Sequence, residues 1–434
     1  MAKMRKQSAT DSLRFVFLLN MLPIIGLMAF YYTRFIEGTY SVIIPLGLLM
    51  LWFVFSVFTR KTKGLLFNKV GVWWMSYLFL YVLMVMIGFS STNLNFVISK
   101  LPIYFIPIIG FFVIRHYNNR EKEVFLAAFF IVFLVNLLYN IYLGHQSPNI
   151  FEELSNSEES INMSVMMNIA STSFVGVCPW IIGAIAMTIM VIKNRIWTTT
   201  CLLVIIPIAY YILFQNTRGI AVLLLLTELV GFVLAFFEPK RKSGRKAYYV
   251  GMVVLLIIVF FMVFVPVMSW ALEYIQSERL AQRFNDLLDF RKSSGNVSQV
   301  SDGSLSGRLL LIQTSFNTFI SSPLSFLIGI GDHTLAHGGD LIKSGIGNHS
   351  EFVDVLARFG LIGAFVFWKI MKSYNWFLKT TSTIHDIRKY VNVIFVIIVL
   401  YGFLNLMFLP DLLIFLYIVF PIIVGLTNNK IAFR

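Results

Sequence analysis

The chain has 434 residues, 58% of them hydrophobic and only 13% charged, about half the roughly 25% charged content of a soluble domain. A soluble fold of this size could not hide so much apolar surface, so soluble enzymes, nucleic-acid-binding domains and secreted disulfide scaffolds are excluded. The net charge of +14 then belongs to basic cytoplasmic loops of a membrane protein and gives no reason to expect nucleic acid.

In chain order, Lys3, Arg5 and Lys6 precede the first apolar run, 15–32. That run is too long for a signal-peptide core and has no small-residue cleavage site, so it reads as an uncleaved first span. Hydropathy and charge breaks place spans at 15–33, 40–58, 70–88, 98–114, 124–143, 174–192, 196–214, 220–237, 249–268, 350–371, 390–409 and 411–426. The expected fold is an all-α polytopic membrane protein with about twelve transmembrane helices. Only Pro410 and Asp411 separate the last two spans, which leaves a re-entrant segment open there. Cys178 and Cys201 fall inside apolar runs and read as small core residues.

An even number of spans puts both termini on one side. With that side cytoplasmic, 25 of the 35 Lys and Arg lie inside and 15 of the 21 Asp and Glu outside, as the positive-inside rule expects. Two outer segments are long. Residues 144–173, with Glu152, Glu153, Glu158 and Glu159, read as an acidic solvated loop. Residues 269–348 form a large extracytoplasmic insertion between the ninth and tenth spans. Trp270, Tyr274 and Ile275, then Leu280, Phe284, Leu287 and Leu288, recur there at helical spacing, as in a helix lying on the membrane or roofing the bundle. After Ser293-Ser294-Gly295, Ser304 or Ser306 can cap a second helix that runs to about Ile320 and stops at Ser321-Ser322-Pro323. A glycine-rich stretch, from Gly329-Ile330-Gly331 to Gly345-Ile346-Gly347, leads into His349.

The basic residues on the outer side run against the charge bias. Arg218, in Gln215-Asn216-Thr217-Arg218-Gly219, sits in a tight outer link, where its alternative role is that of a snorkelling interfacial arginine. Arg308 opens the loop helix, where a cation opposes the helix dipole and an anionic ligand would compensate it. A solvated surface arginine is the competing reading. His349 starts the tenth span, and imidazole is a side chain suited to proton transfer, although a lone histidine is more often structural. Arg358 pairs with Asp354 four residues earlier on a straight helix and lies about 180° from His349, so the two should not share a ligand. His333 and His337, flanked by Asp332 and Asp340, have metal-ligand spacing, but their glycine-rich setting favours a polar loop that lines substrate. No metal or cofactor is expected. Glu228, the one acid placed in mid-span, suggests either a proton path or a hydrogen-bonded structural group.

The stretch 308–363 resembles the bacterial O-antigen ligase and O-antigen, capsule or exopolysaccharide polymerase family. Its ligase members carry His-[Asn/Ser/Gln], nine residues, then Gly-x-x-[Gly/Thr/Tyr]; here His349-Ser350 is followed by nine residues and Gly360-Leu361-Ile362-Gly363. Arg218 and Arg308 match the family's outer-loop and loop-helix arginines, and Pro323 with Gly329-Ile330-Gly331 looks like its loop. The resemblance implies a C-type glycosyltransferase-like fold and glycan transfer from undecaprenyl diphosphate, without a metal, at the outer face of the cytoplasmic membrane. It assigns the catalytic roles to His349, Arg308 and Arg218, and the polar loop of Asp332, His333 and His337, read above from its own residues, would lie along the substrate. The implied partners are an undecaprenyl-diphosphate-linked oligosaccharide, membrane lipid and, as a further candidate, a chain-length regulator. A polymerase extending lipid-linked repeat units is the preferred expectation. A ligase delivering the glycan to lipid A core and a lipid-linked-oligosaccharide flippase are the alternatives.

Overall fold

Runs of about twenty apolar residues satisfy their backbone polar groups in lipid only as helices or closed barrels. The computed structural model describes residues 21–32, 40–59, 68–86, 94–146, 172–192, 195–212, 224, 228, 305–332 and 344–432, and among these the regular structure is entirely helical. In order these helices are α1 (Met21–Tyr32), α2 (Tyr40–Thr59), α3 (Lys69–Met86), α4 (Leu94–His116), α5 (Asn119–Gln146), α6 (Thr172–Ile192) and α7 (Arg195–Tyr210). Then come α8 (Leu305–Ile320), α9 (Pro323–Ile328), α10 (Glu351–Thr381), α11 (His385–Leu404) and α12 (410–432). Among the described residues, five segments are long and apolar enough to cross a membrane: Lys69–Met86, Ile98–His116, Asn119–Gln146, Ile387–Leu404 and Pro410–Asn428. The protein is therefore an all-α polytopic membrane protein. The expected span 220–237 is described only at residues 224 and 228, and the expected span 249–268 and amphipathic stretch 269–304 lie outside the described residues.

Polarity is arranged for lipid. Phe79 on α3, Ile131 on α5 and Leu203 on α7 stand more than half exposed, while Asn136, Asn140, Glu228 and Asp411 are buried. Several of these residues find partners inside. Asn136 Nδ2 donates to Tyr32 O at 2.6 Å, and Tyr32 Oη donates to Asp411 O at 3.0 Å, so α5, α1 and α12 are tied together. Cys178 and Cys201 are buried free thiols.

Among the described spans, α12 is the most deeply buried. It runs as Pro410–Ile414, a π turn Phe415–Val419, and Phe420–Ala432, with contacts to α4, α5, α6 and α10. A π turn releases backbone carbonyls from the regular ladder; here Leu416 O accepts a hydrogen bond from Tyr374 Oη of α10 at 3.0 Å. Gly110 of α4 lets the two backbones touch, because a Cβ there would sit 2.2 Å from Tyr417 O. The extended link 405–409 before α12 is held by α10: Glu351 Oε2 accepts from Met407 N at 3.0 Å and Phe408 N at 3.2 Å.

Helix α10 carries the next level of organisation. It packs against α3, α8, α9 and α11 and breaks at Gly360, whose φ of 58° and ψ of −153° are not helical. Helices α8 and α9 follow the sequence closely. The first ends at Ile320, and Ser322 then caps the second in a reciprocal box with Ser325, with Pro323 in its first turn.

Candidate active site

The site is built where the segment 344–350 turns into α10. Ser350 caps the helix, its hydroxyl accepting from Val353 N at 3.4 Å, while its own N–H donates to Asp354 Oδ2 at 3.1 Å. His349 therefore stands just outside the helix, not on its first turn. Asn348 takes a left-handed φ of 52°, which asparagine tolerates better than most residues. That reversal folds 347–349 back along the helix it precedes.

Ser315 of α8 fixes this turn from the other side. Its hydroxyl donates to Asp354 Oδ1 at 2.6 Å and accepts from Gly347 N at 2.8 Å. Gly347 lies so close to α8 that a Cβ would fall 2.2 Å from Leu311 O. Arg308, Leu311 and Ser315 recur at positions i, i+3 and i+7, which puts the Arg308 backbone on the α8 face that meets 347–349, in the helix's first turn. The Arg308 side chain lies outside the described residues, as do Arg218, His333 and His337 entirely.

The His349 ring is partly buried, and its Nδ1 lies 2.9 Å from Gly347 O. A carbonyl oxygen can only accept, so Nδ1 carries the proton of this bond. In the neutral ring, Nε2 is then the nitrogen with a free lone pair. The backbone thus sets the tautomer that a base needs.

Arg358 departs from its expected partner. Asp354 is engaged by Ser315 and by the Ser350 backbone, and Arg358 instead pairs with Asp332, Nε to Oδ2 3.6 Å, the side chains only 9% and 5% exposed. Arg358 Nη2 also donates to Asn348 Oδ1. The predicted 180° separation assumed that His349 lies on the helix, whereas the chain reverses before Ser350 and brings Asn348 back to the guanidinium. Asp332, expected along the substrate, is buried beside Arg358, so its carboxylate holds the arginine that orients His349's neighbour. Tyr77 and Tyr81 of α3 lie within electrostatic reach of the same guanidinium. They form an aromatic wall with Phe359, at ring separations of 5.4 and 4.8 Å.

The motif glycines explain themselves by geometry. The break at Gly360 frees the carbonyls of Ala357 and Arg358, and these accept from Ile330 N and Gly331 N, both at 2.9 Å. The loop 329–331 is thereby stitched onto the break, and it delivers Asp332 to Arg358. A Cβ on Gly360 would lie 2.4 Å from the Leu327 carbonyl carbon, and one on Gly363 2.2 Å from Phe359 Cβ. Gly360→Ala combines this clash with a backbone conformation nearly restricted to glycine. It should cost roughly 3 kcal/mol, read as a lower unfolding temperature of the detergent-purified protein. Gly47→Ala on α2, where a Cβ meets nothing within 4 Å, should leave that temperature unchanged or slightly raised.

Of the residues singled out from sequence, the structure brings His349, Ser350 and Asp332 to the turn held by Arg358, and it puts the Arg308 backbone on the α8 face that meets that turn. Ser315, Asn348 and Glu351 are supporting residues that pattern alone did not reveal, and Arg358 was noticed but given the wrong partner. Among the described residues no three His, Cys, Asp or Glu side chains gather in a way that could hold a metal ion. Glu228 turns its carboxylate into the bundle against Gly183, where a Cβ would lie 2.6 Å from Oε2.

Residues 203–368 match the family model described as O-Antigen ligase, in agreement with the resemblance to O-antigen ligases and polymerases. The matched segment contains every site residue named from the sequence, from Arg218 to Gly363. No curated protein matches the chain.

Proposed function

We propose that this chain is a polysaccharide polymerase. At the outer face of the cytoplasmic membrane it transfers a glycan from undecaprenyl diphosphate to the end of a second lipid-linked repeat unit. The fold in this reading is C-type glycosyltransferase-like, with about twelve spans, cytoplasmic termini and the 269–348 insertion outside.

The observation that carries the reading is His349 with Nδ1 held by Gly347 O, inside the segment that matches the O-Antigen ligase family model. An acceptor hydroxyl attacks the anomeric carbon of the donor sugar and gives its proton to His349 Nε2. The bond from that carbon to the diphosphate oxygen breaks, and the diphosphate leaves with the electron pair. Arg218 and Arg308 take up the charge that develops on it. The guanidinium groups supply the electrostatic role that a divalent ion fills elsewhere. His333 and His337, with Asp332 behind them, flank the sugar.

A ligase is the second reading, favoured by the match to the O-Antigen ligase family model and by the His349-Ser350…Gly360-x-x-Gly363 spacing. It differs only in acceptor, lipid A core in place of another repeat unit. Purified protein supplied with undecaprenyl-diphosphate-linked repeat units, and no nucleotide sugar, should produce a ladder of longer glycans that EDTA leaves unchanged. A single transfer that needs added lipid A core would establish the ligase instead. Movement of repeat units across vesicles with no new glycosidic bond would overturn both in favour of a flippase.

A further inference from the structure

At the far end of α10 from His349, the ends of α4 and α10 meet the starts of α5 and α11 around a cavity of about 460 Å³. Arg115, in the last turn of α4, and Lys122, in the first turns of α5, stand in its wall, and among the described lining residues there is no carboxylate. Thr380, Thr383 and Asn428 add hydroxyl and amide groups. The polar wall is pre-set. Asn428 Oδ1 accepts from Thr383 N at 3.3 Å and Ile384 N at 3.0 Å, and Asn428 Nδ2 donates to Thr383 Oγ1 at 2.6 Å. Lys122 Nζ is fastened to Ile114 O at 2.7 Å, which holds the ammonium at the cavity and leaves it two further protons to donate.

Aromatic rings line the same cavity. Phe111 stacks on Trp376 at 6.2 Å, and Lys69 Nζ lies 4.9 Å above the same indole. A site that combines two cations and neutral donors with apolar rings suits a ligand that joins an anionic phosphate to a hydrocarbon. The helix ends around it mark the depth at which lipid headgroups lie. The positive-inside pattern assigns this end to the cytoplasmic side, where anionic lipids are drawn to basic clusters.

We infer that this cavity binds the phosphate-bearing headgroup of an anionic membrane lipid. The phosphate lies between Arg115 and Lys122, and the proximal chain runs along Phe111 and Trp376. The site is separate from the glycan-transfer centre and stands or falls independently of it.

Native mass spectrometry of the full chain, titrated with phosphatidylglycerol and with phosphatidylcholine, tests the inference. Phosphatidylglycerol should be retained preferentially. Losing both charge-assisted contacts in Arg115→Gln/Lys122→Gln should weaken that retention about tenfold or more. Gly425 offers a second variant that avoids the charges. It lines the cavity, and a Cβ there meets nothing within 4 Å, so Gly425→Leu should fill the space and displace the lipid without straining the helix. Equal retention of the two lipids, or phosphatidylglycerol retained unchanged in both variants, would overturn the assignment. Binding of sn-glycerol 1-phosphate that both variants abolish, with no preference for phosphatidylglycerol, would overturn the lipid source in favour of a soluble phosphate ester.

Discussion

Replacing His349 by alanine should lower the rate of glycan transfer by about 10²–10⁴-fold, the usual worth of a positioned general base. Insertion into the membrane and the unfolding temperature should stay close to wild type. The ring is only partly buried, and among the described residues its hydrogen bond goes to the Gly347 carbonyl. His349→Gln keeps a donor for that carbonyl but has no basic nitrogen, so it should be nearly as slow as alanine. Arg308→Ala should also lose transfer, through the leaving diphosphate and not through the proton. Steady-state rates on lipid-linked repeat units, alongside thermal unfolding in detergent, read both effects. Wild-type rates in His349→Ala would remove this residue from the chemistry.

The second large effect is expected at Arg358, and it is first an effect on stability. Arg358→Ala deletes the guanidinium that compensates the buried Asp332 carboxylate and takes a donor from Asn348 Oδ1. Removing one member of a buried ion pair typically costs about 3–5 kcal/mol, so the variant should unfold at a clearly lower temperature. Combining Arg358→Met with Asp332→Asn removes both charges and should recover most of that loss. If Arg358 also positions the turn at Asn348 and His349, the double variant will regain stability but not the transfer rate. Recovery of both together would reduce Arg358 to a purely structural residue.

The sequence announced most of the helices, because each is a long apolar run or a well-marked stop. Ser321-Ser322-Pro323 ends one helix and caps the next, as the structure has it. The candidate site was only half legible. The His349…Gly360-x-x-Gly363 spacing locates it, but not what the glycines do there. Arg358 was paired with Asp354 because an i,i+4 partner is the nearest one that a regular helix offers. Its actual partner, Asp332, arrives on a loop held by two carbonyls that exist as free acceptors only because the helix breaks at Gly360. Asp354 is claimed in turn by Ser315, 39 residues away in sequence. Helical periodicity carries no information about either contact, since both depend on how α8, α9 and α10 pack. The π turn in α12 is hidden for the same reason: 415–419 reads as ordinary apolar helix, and its departure shows only in the Leu416 carbonyl offered to Tyr374.

The most direct measurement is an electron cryomicroscopy structure of the protein in lipid nanodiscs with undecaprenyl diphosphate bound. The pyrophosphate should lie on the His349 side of the bundle, with the Arg218 and Arg308 guanidinium groups on its oxygens and the His349 Nε2 edge facing the position of the sugar. A carrier lodged elsewhere, with those three side chains apart and touching no common ligand, would contradict it.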